Sequence, residues 1–541
     1  MRPLVYIAIV GLAFAMCVMA CRSKKTAQSV NNIIQVKAYG AQGNGRADDS
    51  GALQRALNAL PQRGGKLVFD PGTYMLGRGL VLRGKKEFEI TGTGATLIAK
   101  AGLPKSPQNA LLTIENCDHF QVIGLKLDGN RDKRPLVQNQ VPGHNFRILD
   151  VRHAEFKGVI SDNGVQDGFT LQDNNSNPET VHHVKFINCI ARNNYRQGLS
   201  VINGSEIDII GGEYSGTNGV EPEAGIDIEA NKGERPNTDI RFKGVTFRDN
   251  AFYGIVLAGG NTDSRRMTID GCFFYGNRHG GILATLDETE ISRCVFEGNS
   301  KVSAGQTKGS SLIDVKHGNV KRVIIKENTF RNTAAAIFGI RLAGGVTNAK
   351  VVENTFSNLT NTALAVYAQK AEIVGNQFSG GKARDIQLKG GNGHLVLGNS
   401  FTGGERPLML VEAAGTTSLS NSFNKKNIPS RLLQEKKKLL QALPQPAGRP
   451  NTSSRSASAI SQSTKLTTQT QVSVDATKAI TLTLPASPKQ TFIQINRVRG
   501  QATITLECKG SPFKSGSTTF TVRPAQTSVT CYHDGLCWRV F

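Results

Sequence analysis

The sequence predicts an all-β solenoid of short parallel strands wound coil on coil, followed by a small β-module. Three observations predict it. From Leu111 to Phe423 a small or polar residue, any residue and then an aromatic recur before a turn. The series runs Cys272-Phe-Phe274, Cys294-Val-Phe296, Asn328-Thr-Phe330, Asn354-Thr-Phe356, Asn376-Gln-Phe378, Asn399-Ser-Phe401 and Asn421-Ser-Phe423, with aromatics 22, 34, 26, 22, 23 and 22 residues apart. A period in the low twenties is one coil per repeat, with insertions becoming loops. Each repeat also carries Gly-apolar-x-apolar, as in Gly168-Phe-Thr-Leu171, Gly198-Leu-Ser-Val201, Gly225-Ile-Asp-Ile228, Gly254-Ile-Val-Leu257 and Gly281-Ile-Leu-Ala284. With 58 glycines and 6% aromatics, the composition suits short strands and turns better than long packed helices.

In chain order, an apolar run from Leu4 to Ala20 behind Arg2 reads as an export signal, residues 1–20. Val18-Met19-Ala20-Cys21 resembles a bacterial lipobox, which implies lipidation at Cys21, a membrane anchor and a place in the cell envelope. Without the lipid, the chain would be periplasmic or secreted. Residues 21–32 form a polar tether.

The solenoid is assigned to residues 33–423. It opens with Val36-Lys-Ala-Tyr-Gly-Ala-Gln-Gly-Asn-Gly-Arg-Ala-Asp-Asp-Ser50, a helix with Ala52, Leu53, Ala56, Leu57 and Leu60 on one face, and Asp70-Pro-Gly-Thr-Tyr74. This segment resembles the opening of the pectate-lyase-like family that includes rhamnogalacturonase and epimerase-type domains. Asn44 and Ser50 stand where that pattern has Asp and Thr. The resemblance implies a right-handed parallel β-helix whose open end this segment caps, so Asp48 and Asp49 read as helix-capping residues and not as a catalytic pair. Stacked Phe rings and an asparagine ladder are expected along the coils, with Tyr214 and Phe247 as earlier equivalents of the Phe position.

Residues 424–465 read as an end-covering helix around Ser430–Leu443 and a Ser/Pro-rich linker. Residues 466–541 alternate as strands. They resemble a small β-module found at the ends of phage tail-fibre-like and secreted proteins.

Of the net charge of +23, +13 lies beyond Phe423 and only +9 between Cys21 and Phe423. That is a mild bias toward acidic polymers, and no nucleic-acid groove is expected. Cys117, Cys189, Cys272 and Cys294 fall inside apolar strand patterns and are expected to pack as small apolar residues, while a bridge is expected among Cys508, Cys531 and Cys537, Cys508 to Cys531 first.

Strand alternation sends Ile226 and Ile228 inward and Asp227 and Glu229 outward. Stacking the Gly-apolar strands puts Thr170, Ser200, Asp227, Val256 and Leu283 in one outward row, about 4.8 Å per coil. Asp167, Arg196, Gln197, Glu223, Tyr253 and His279 lie at the strand starts around that row, and the polar row is expected to thin out after the coil of Leu283. Enzymes that this fold resembles bind a polysaccharide along such a face.

Catalytic candidates are Asp227, Glu229, Arg196, Asp167 and His279; substrate-binding candidates are Glu223, Gln197 and Tyr253. For hydrolysis, Asp227 and Glu229 have Cα atoms roughly 6.6–6.8 Å apart, inside the ~6.5–9.5 Å window of inverting glycosidases. For a lyase or epimerase, Arg196, Tyr253 or His279 would take the proton alpha to a uronate carboxylate, with Asp227 and Glu229 holding Ca²⁺. These outcomes stay open together, as does a non-catalytic, tailspike-like glycan-binding or structural β-helix.

Overall fold

The computed structural model describes residues 32–134, 143–173, 181–259, 263–299, 311–316, 320–332, 338–403, 406–411, 413–419, 421–423 and, in the C-terminal module, 464–465, 471–475, 479–484, 492–499, 502–508, 519–522, 528–533 and 538–540. The leader with Cys21, the Ser430–Leu443 helix and Cys537 lie outside them.

Three parallel sheets run the length of the solenoid. Sheet 1 has 15 strands from Ile33–Gln35 to Thr417–Leu419, sheet 2 has 15 from Asn44–Asp48 to Ser422–Phe423, and sheet 3 has 13 from Leu80–Arg83 to Arg406–Val411. Beyond the first coil, neighbours in each are strands three apart in sequence order, so each of those coils contributes one strand to each sheet. The sequence repeat shows two of these strands clearly, the Phe strand in sheet 2 and the Gly-apolar strand in sheet 3. Sheet 1 escapes it because nearly every one of its longer strands bends at a left-handed residue of no fixed type: Glu87, His119, His153, His183, Glu206, Asp239, Arg266 and Glu288 all have φ between 53° and 61° except His153 at 47°.

One apolar core runs from Val36 to Phe401. Along it the Phe residues stack nearly parallel, with centroids 5.0 Å apart for Phe247–Phe274, 4.7 Å for Phe274–Phe296, 4.8 Å for Phe296–Phe330 and 4.7 Å for Phe330–Phe356. Tyr214 joins the stack 6.0 Å from Phe247. At the turn before the Phe, each asparagine donates Nδ2 to Oδ1 of the next one, Asn328 to Asn354, Asn354 to Asn376, Asn376 to Asn399 and Asn399 to Asn421, at 2.9–3.0 Å. A second ladder, Asn250–Asn277–Asn299, lies after the Phe at the other corner. Turn carbonyls and amides that the strands leave unpaired are satisfied this way. Cys117, Cys189, Cys272 and Cys294 are buried thiols, as expected.

The helix Ser50–Ala59 buries Ala52, Leu53, Ala56 and Leu57 against the first coil. Of the two aspartates only Asp48 caps it, because the N-cap residue Asp49 makes no side-chain bond to a helix amide. Asp48 accepts the Ser50 amide at 3.0 Å, whereas Asp49 reaches back to the amides of Gln42 and Gly43 at 2.7 and 3.0 Å. Both carboxylates are therefore committed to backbone.

The C-terminal module holds two four-stranded mixed sheets, and its first described strand is Thr464–Lys465. Cys508 and Cys531 are buried in its apolar core. Cys531 is a free thiol, so the expected Cys508–Cys531 bridge is not formed. The two cysteines sit on strands of different sheets, Ile504–Cys508 and Ser528–His533, and Cys531 packs as an apolar residue.

Asn354→Ala removes a ladder rung that accepts from the Asn328 amide and Nδ2 and donates to Ile325 O and Asn376. Buried partners left unsatisfied cost about 1–3 kcal/mol each. Urea unfolding should show a loss of about 3 kcal/mol for Asn354→Ala, and about 0.5 kcal/mol or less for Asn58→Ala on the exposed face of the helix Ser50–Ala59. Equal losses would mean the ladder is not what holds the coils.

Candidate active site

Sheet 3 carries the expected outward row in the expected register. Thr170 pairs with Ser200, Ser200 with Asp227, Asp227 with Val256, and Val256 with Leu283. Glycine precedes these strands because the coils close tightly there: a Cβ on Gly225 would stand 2.6 Å from the Gly254 carbonyl oxygen. Ile226 and Ile228 enter the core while Asp227 and Glu229 leave it. The two carboxylates nonetheless meet different surroundings. Asp227 is 3% exposed, whereas the Glu229 side chain is 23% exposed.

Arg196 makes that difference. Its guanidinium folds over the row, Nη1 3.2 Å from Asp167 Oδ2 and Nη2 3.0 Å from Glu229 Oε1, with Nη1 also 3.0 Å from Gln197 Oε1. Beneath it Gln197 donates to Asp227 Oδ2, and the Ser200 hydroxyl bonds both Gln197 and Glu229. Asp167 is fully buried and faces His144 Nδ1 at 3.2 Å. Five predicted residues, Asp167, Arg196, Gln197, Asp227 and Glu229, thus form one contact network.

Their charges separate. Burial by itself would raise Asp167, but Arg196 and His144 outweigh it and hold this carboxyl below the usual range. Burial likewise opposes the charge on Arg196, yet Asp167 and Glu229 keep its pKa above the ordinary value. Asp227 goes the other way: burial, and next the negative charge of Glu229, push it well above the carboxylate range. Its Oδ1 is buried without a donor. Protonation removes the like charge beside Glu229 and turns Asp227 into a donor toward it. One site therefore holds an acid and a carboxylate side by side, the separation that assigns acid and base roles.

The coupling bears on the hydrolysis geometry. Cα spacing along the strand suggested an inverting pair, whereas the carboxyls act on each other strongly enough for the Glu229 charge to push the Asp227 pKa up. For the Ca²⁺ reading, the Arg196 guanidinium already lies against Glu229 and Asp167, so a cation would have to compete with it for their oxygens.

The other three predicted residues lie outside the network. Glu223 turns its carboxylate to the Gly219 amide at 2.6 Å and closes the preceding loop. Tyr253 begins a strand, not a loop tip, and its ring is buried with the hydroxyl 3.4 Å from Asp314 Oδ2. Burial and the Asp314 charge push its pKa far up. His279 tilts against Phe252 with centroids 4.7 Å apart. Burial, then Arg278, lower its pKa, but among the described contacts none joins it to Asp227 or Glu229.

The polar row does not end at Leu283 either. Asp314 and Arg341 follow it in register, bonded at 2.7 and 3.0 Å, with Lys316 Nζ 3.6 Å away. Between the two polar clusters lies a small outward apolar group of Ala224, Tyr253 and Val256, with Phe252 and Leu283 against it.

Sequence reasoning missed His144, Lys105 and Ser200. His144 precedes the strand Phe146–Leu149, whose Phe146 pairs with Phe169, so it stands one coil above Asp167. Aligning Asn145 with the repeating glycine would have found it. Ser200 was placed in the row but given no role. Lys105 comes from a loop with no repeat signal; burial lowers its pKa, with Asp167 and Arg196 in range of its charge.

Residues 33–283 match the family described as rhamnogalacturonase A/epimerase, pectate lyase-like, and residues 224–401 and 311–428 match the right-handed β-helix region. Mannuronan C5-epimerase AlgE1 of Azotobacter vinelandii is 25% identical over 258 residues, 41% of this chain and 18% of that protein. AlgE3, a mannuronan C5-epimerase of the same organism, is 25% identical over 266 residues, 41% of this chain and 14% of its own. The chain thus spans less than a fifth of these curated relatives. Among solved structures, the pre-mature gene product 12 of bacteriophage phi29 superposes with a TM-score of 0.53 at 13% identity, over 83% of this chain and 61% of that one, a likeness of fold alone.

The raised Asp227 pKa has a stability consequence. A folded chain that keeps a proton the unfolded chain releases gains stability fully below the ordinary value of 3.8, and loses it as pH rises toward the folded value. Asp167, held low, acts in the opposite sense and only at acid pH. Between pH 5 and 8 the urea midpoint of the wild type should therefore fall relative to that of Asp227→Asn. Parallel curves for the two proteins would show that Asp227 is already ionised in the fold.

Proposed function

We propose that this chain, whose body is a pectate-lyase-like right-handed β-helix, is a polysaccharide-active enzyme working on a uronate-containing polymer laid along the outer face of sheet 3. Glu229 is the exposed acid–base group, Asp227 the proton store behind it, and Arg196 with Asp167 the frame that fixes Glu229. The observation that carries this reading is the contrast between two neighbouring carboxyls, one buried so that its pKa is pushed up, the other partly exposed and held by a guanidinium.

The reaction favoured is removal of the proton alpha to a uronate carboxylate, ending in epimerisation or β-elimination. Glycosidases need their two carboxyls at least ~5 Å apart, for a sugar carbon or a water to fit between them. The close coupling of Asp227 to Glu229 speaks against such a gap. In proton abstraction a single group faces the carbon; epimerisation then takes a proton from a donor on the opposite face, and β-elimination passes one to the leaving oxygen. Lys105 adds positive charge beside the cluster for a substrate carboxylate. The names of the epimerase relatives agree with this class. The apolar group around Tyr253 and Val256, then Asp314 and Arg341, extend the same face along further coils. The reading includes export, lipid attachment at Cys21 and work at a bacterial cell envelope.

The test is incubation of uronate polymers in D₂O, with deuterium at C5, ultraviolet absorbance of unsaturated ends and reducing ends read together. Deuterium uptake is expected. It should fall about 100-fold or more in Glu229→Gln and about tenfold or more in Asp227→Asn, the span of general acid–base catalysis. Reducing ends without deuterium or unsaturation would mean hydrolysis. Polymer binding with none of the three products would leave a glycan-binding β-helix of the tailspike-like kind.

A further inference from the structure

The outer face of sheet 1 carries a histidine cluster that the sheet 3 chemistry does not use. It lines an open groove of about 880 Å³. His119, His153 and His183 occupy the left-handed position of three successive strands, Asp118–Ile123, Arg152–Lys157 and His182–Ile187, and His182 precedes the last of them. Parallel stacking brings their rings together: centroids are 4.1 Å apart for His119–His153, 5.0 Å for His153–His183 and 4.7 Å for His182–His183. A left-handed conformation disfavours a side-chain-bearing residue by about 1–2 kcal/mol. The same column elsewhere holds Glu, Asp and Arg, each able to pair with the next coil, as Arg266 does with Asp239 and Arg322 with Glu288.

One ring nitrogen from each of His153, His182 and His183 lies within 4.8 Å of the other two. Tetrahedral Zn²⁺, with bonds of about 2.0–2.1 Å, holds its ligands about 3.3–3.4 Å apart. The rings are partly exposed, so modest rotation closes the difference. Two carboxylates fix the orientation. Asp118 Oδ1 lies 3.0 Å from His153 Nδ1, and Glu206 Oε2 lies 2.7 Å from His183 Nδ1. A histidine whose Nδ1–H is donated to a carboxylate presents its Nε2 lone pair to a metal, the arrangement that supports zinc-binding histidines. Arg152, the nearest cation, is turned to Asp118, 3.6 Å from its Oδ2.

We propose that His153, His182 and His183 bind a divalent transition-metal ion, with Zn²⁺ the ion their chemistry selects, and that Asp118 and Glu206 are positioning residues for His153 and His183. All-imidazole donors favour Zn²⁺, Ni²⁺ or Cu²⁺ over Ca²⁺ or Mg²⁺, which take oxygen. The ion joins two successive coils and binds only the folded chain, so it raises stability by mass action. The site lies on a different sheet from Asp227 and Glu229 and stands whether or not those residues are catalytic.

Calorimetric titration of the full chain with Zn²⁺ tests it, alongside the melting temperature and the visible spectrum of the Co²⁺ form. The wild type is expected to bind one Zn²⁺ saturably, to melt higher with it, and to ignore Ca²⁺ at the same concentration. His182→Ala and His183→Ala, checked for fold by circular dichroism, should each weaken binding about tenfold or more, while His119→Ala stays within about threefold. Absence of saturable Zn²⁺ binding in the wild type overturns the proposal. So does unchanged binding in the His153→Ala/His182→Ala/His183→Ala variant. Loss of binding in His119→Ala with retention in His182→Ala would put the ion on Asp118, His119 and His153 instead, and would equally overturn the trio.

Discussion

Parallel pairing with one strand per coil turns every outward position into a column of side chains about 4.8 Å apart. Whatever occupies a column must live beside its own equivalents above and below. Phe tolerates this by stacking, and Asn does so because it is donor and acceptor at once, each rung donating to the next. Charged residues tolerate it only when opposite signs alternate. On sheet 1 the column Glu155, Lys185, Asp208, Arg241 does alternate, and Arg241 lies 3.3 Å from Asp208. Each such exposed pair contributes little, but like charges in direct register would be unfavourable.

This constraint explains what the sequence revealed. The Gly-apolar-x-apolar strands gave the sheet 3 register residue for residue, because glycine is required where coils close and the period of two fixes which side chains enter the core. The Phe and Asn columns were legible because stacking selects the same residue type repeatedly. The left-handed column of sheet 1 selects a conformation instead of a residue type, so His119, His153 and His183 stood in different local words and looked unrelated.

Site detail was legible in part, for an equally physical reason. Alternation placed Asp227 and Glu229 on the outer face, but their burial depends on a roof supplied by the loop residues Arg196 and Gln197. Tyr253 failed as a prediction because its burial depends on Gly280 one coil away, where a Cβ would come within 2.7 Å of the Tyr253 ring. Such effects belong to pairs of coils, and a single repeat does not contain them. The acid at Asp314 was passed over because its partner Arg341 appears only in the next rung.

The columns also separate sites from scaffold. Where a fold can alternate charges or stack like rings at no electrostatic cost, a column needs no further cause. Two places depart from that rule. Around Asp227 three carboxyls, Asp167, Asp227 and Glu229, converge about one guanidinium; it bonds Asp167 and Glu229, and burial beside Glu229 pushes the pKa of Asp227 up toward keeping a proton. Around His153 three imidazoles converge with two carboxylates behind them, so the cluster holds more lone pairs than it has donors to satisfy. In the first case the imbalance is met by a proton, which suits a group that must give and take protons. In the second, Arg152 and His119 answer Asp118, and a cation is the species that would meet the lone pairs of the three imidazoles. The same one-residue-per-coil geometry that makes the scaffold regular therefore makes its exceptions conspicuous, and it sets them on two different sheets of the coil.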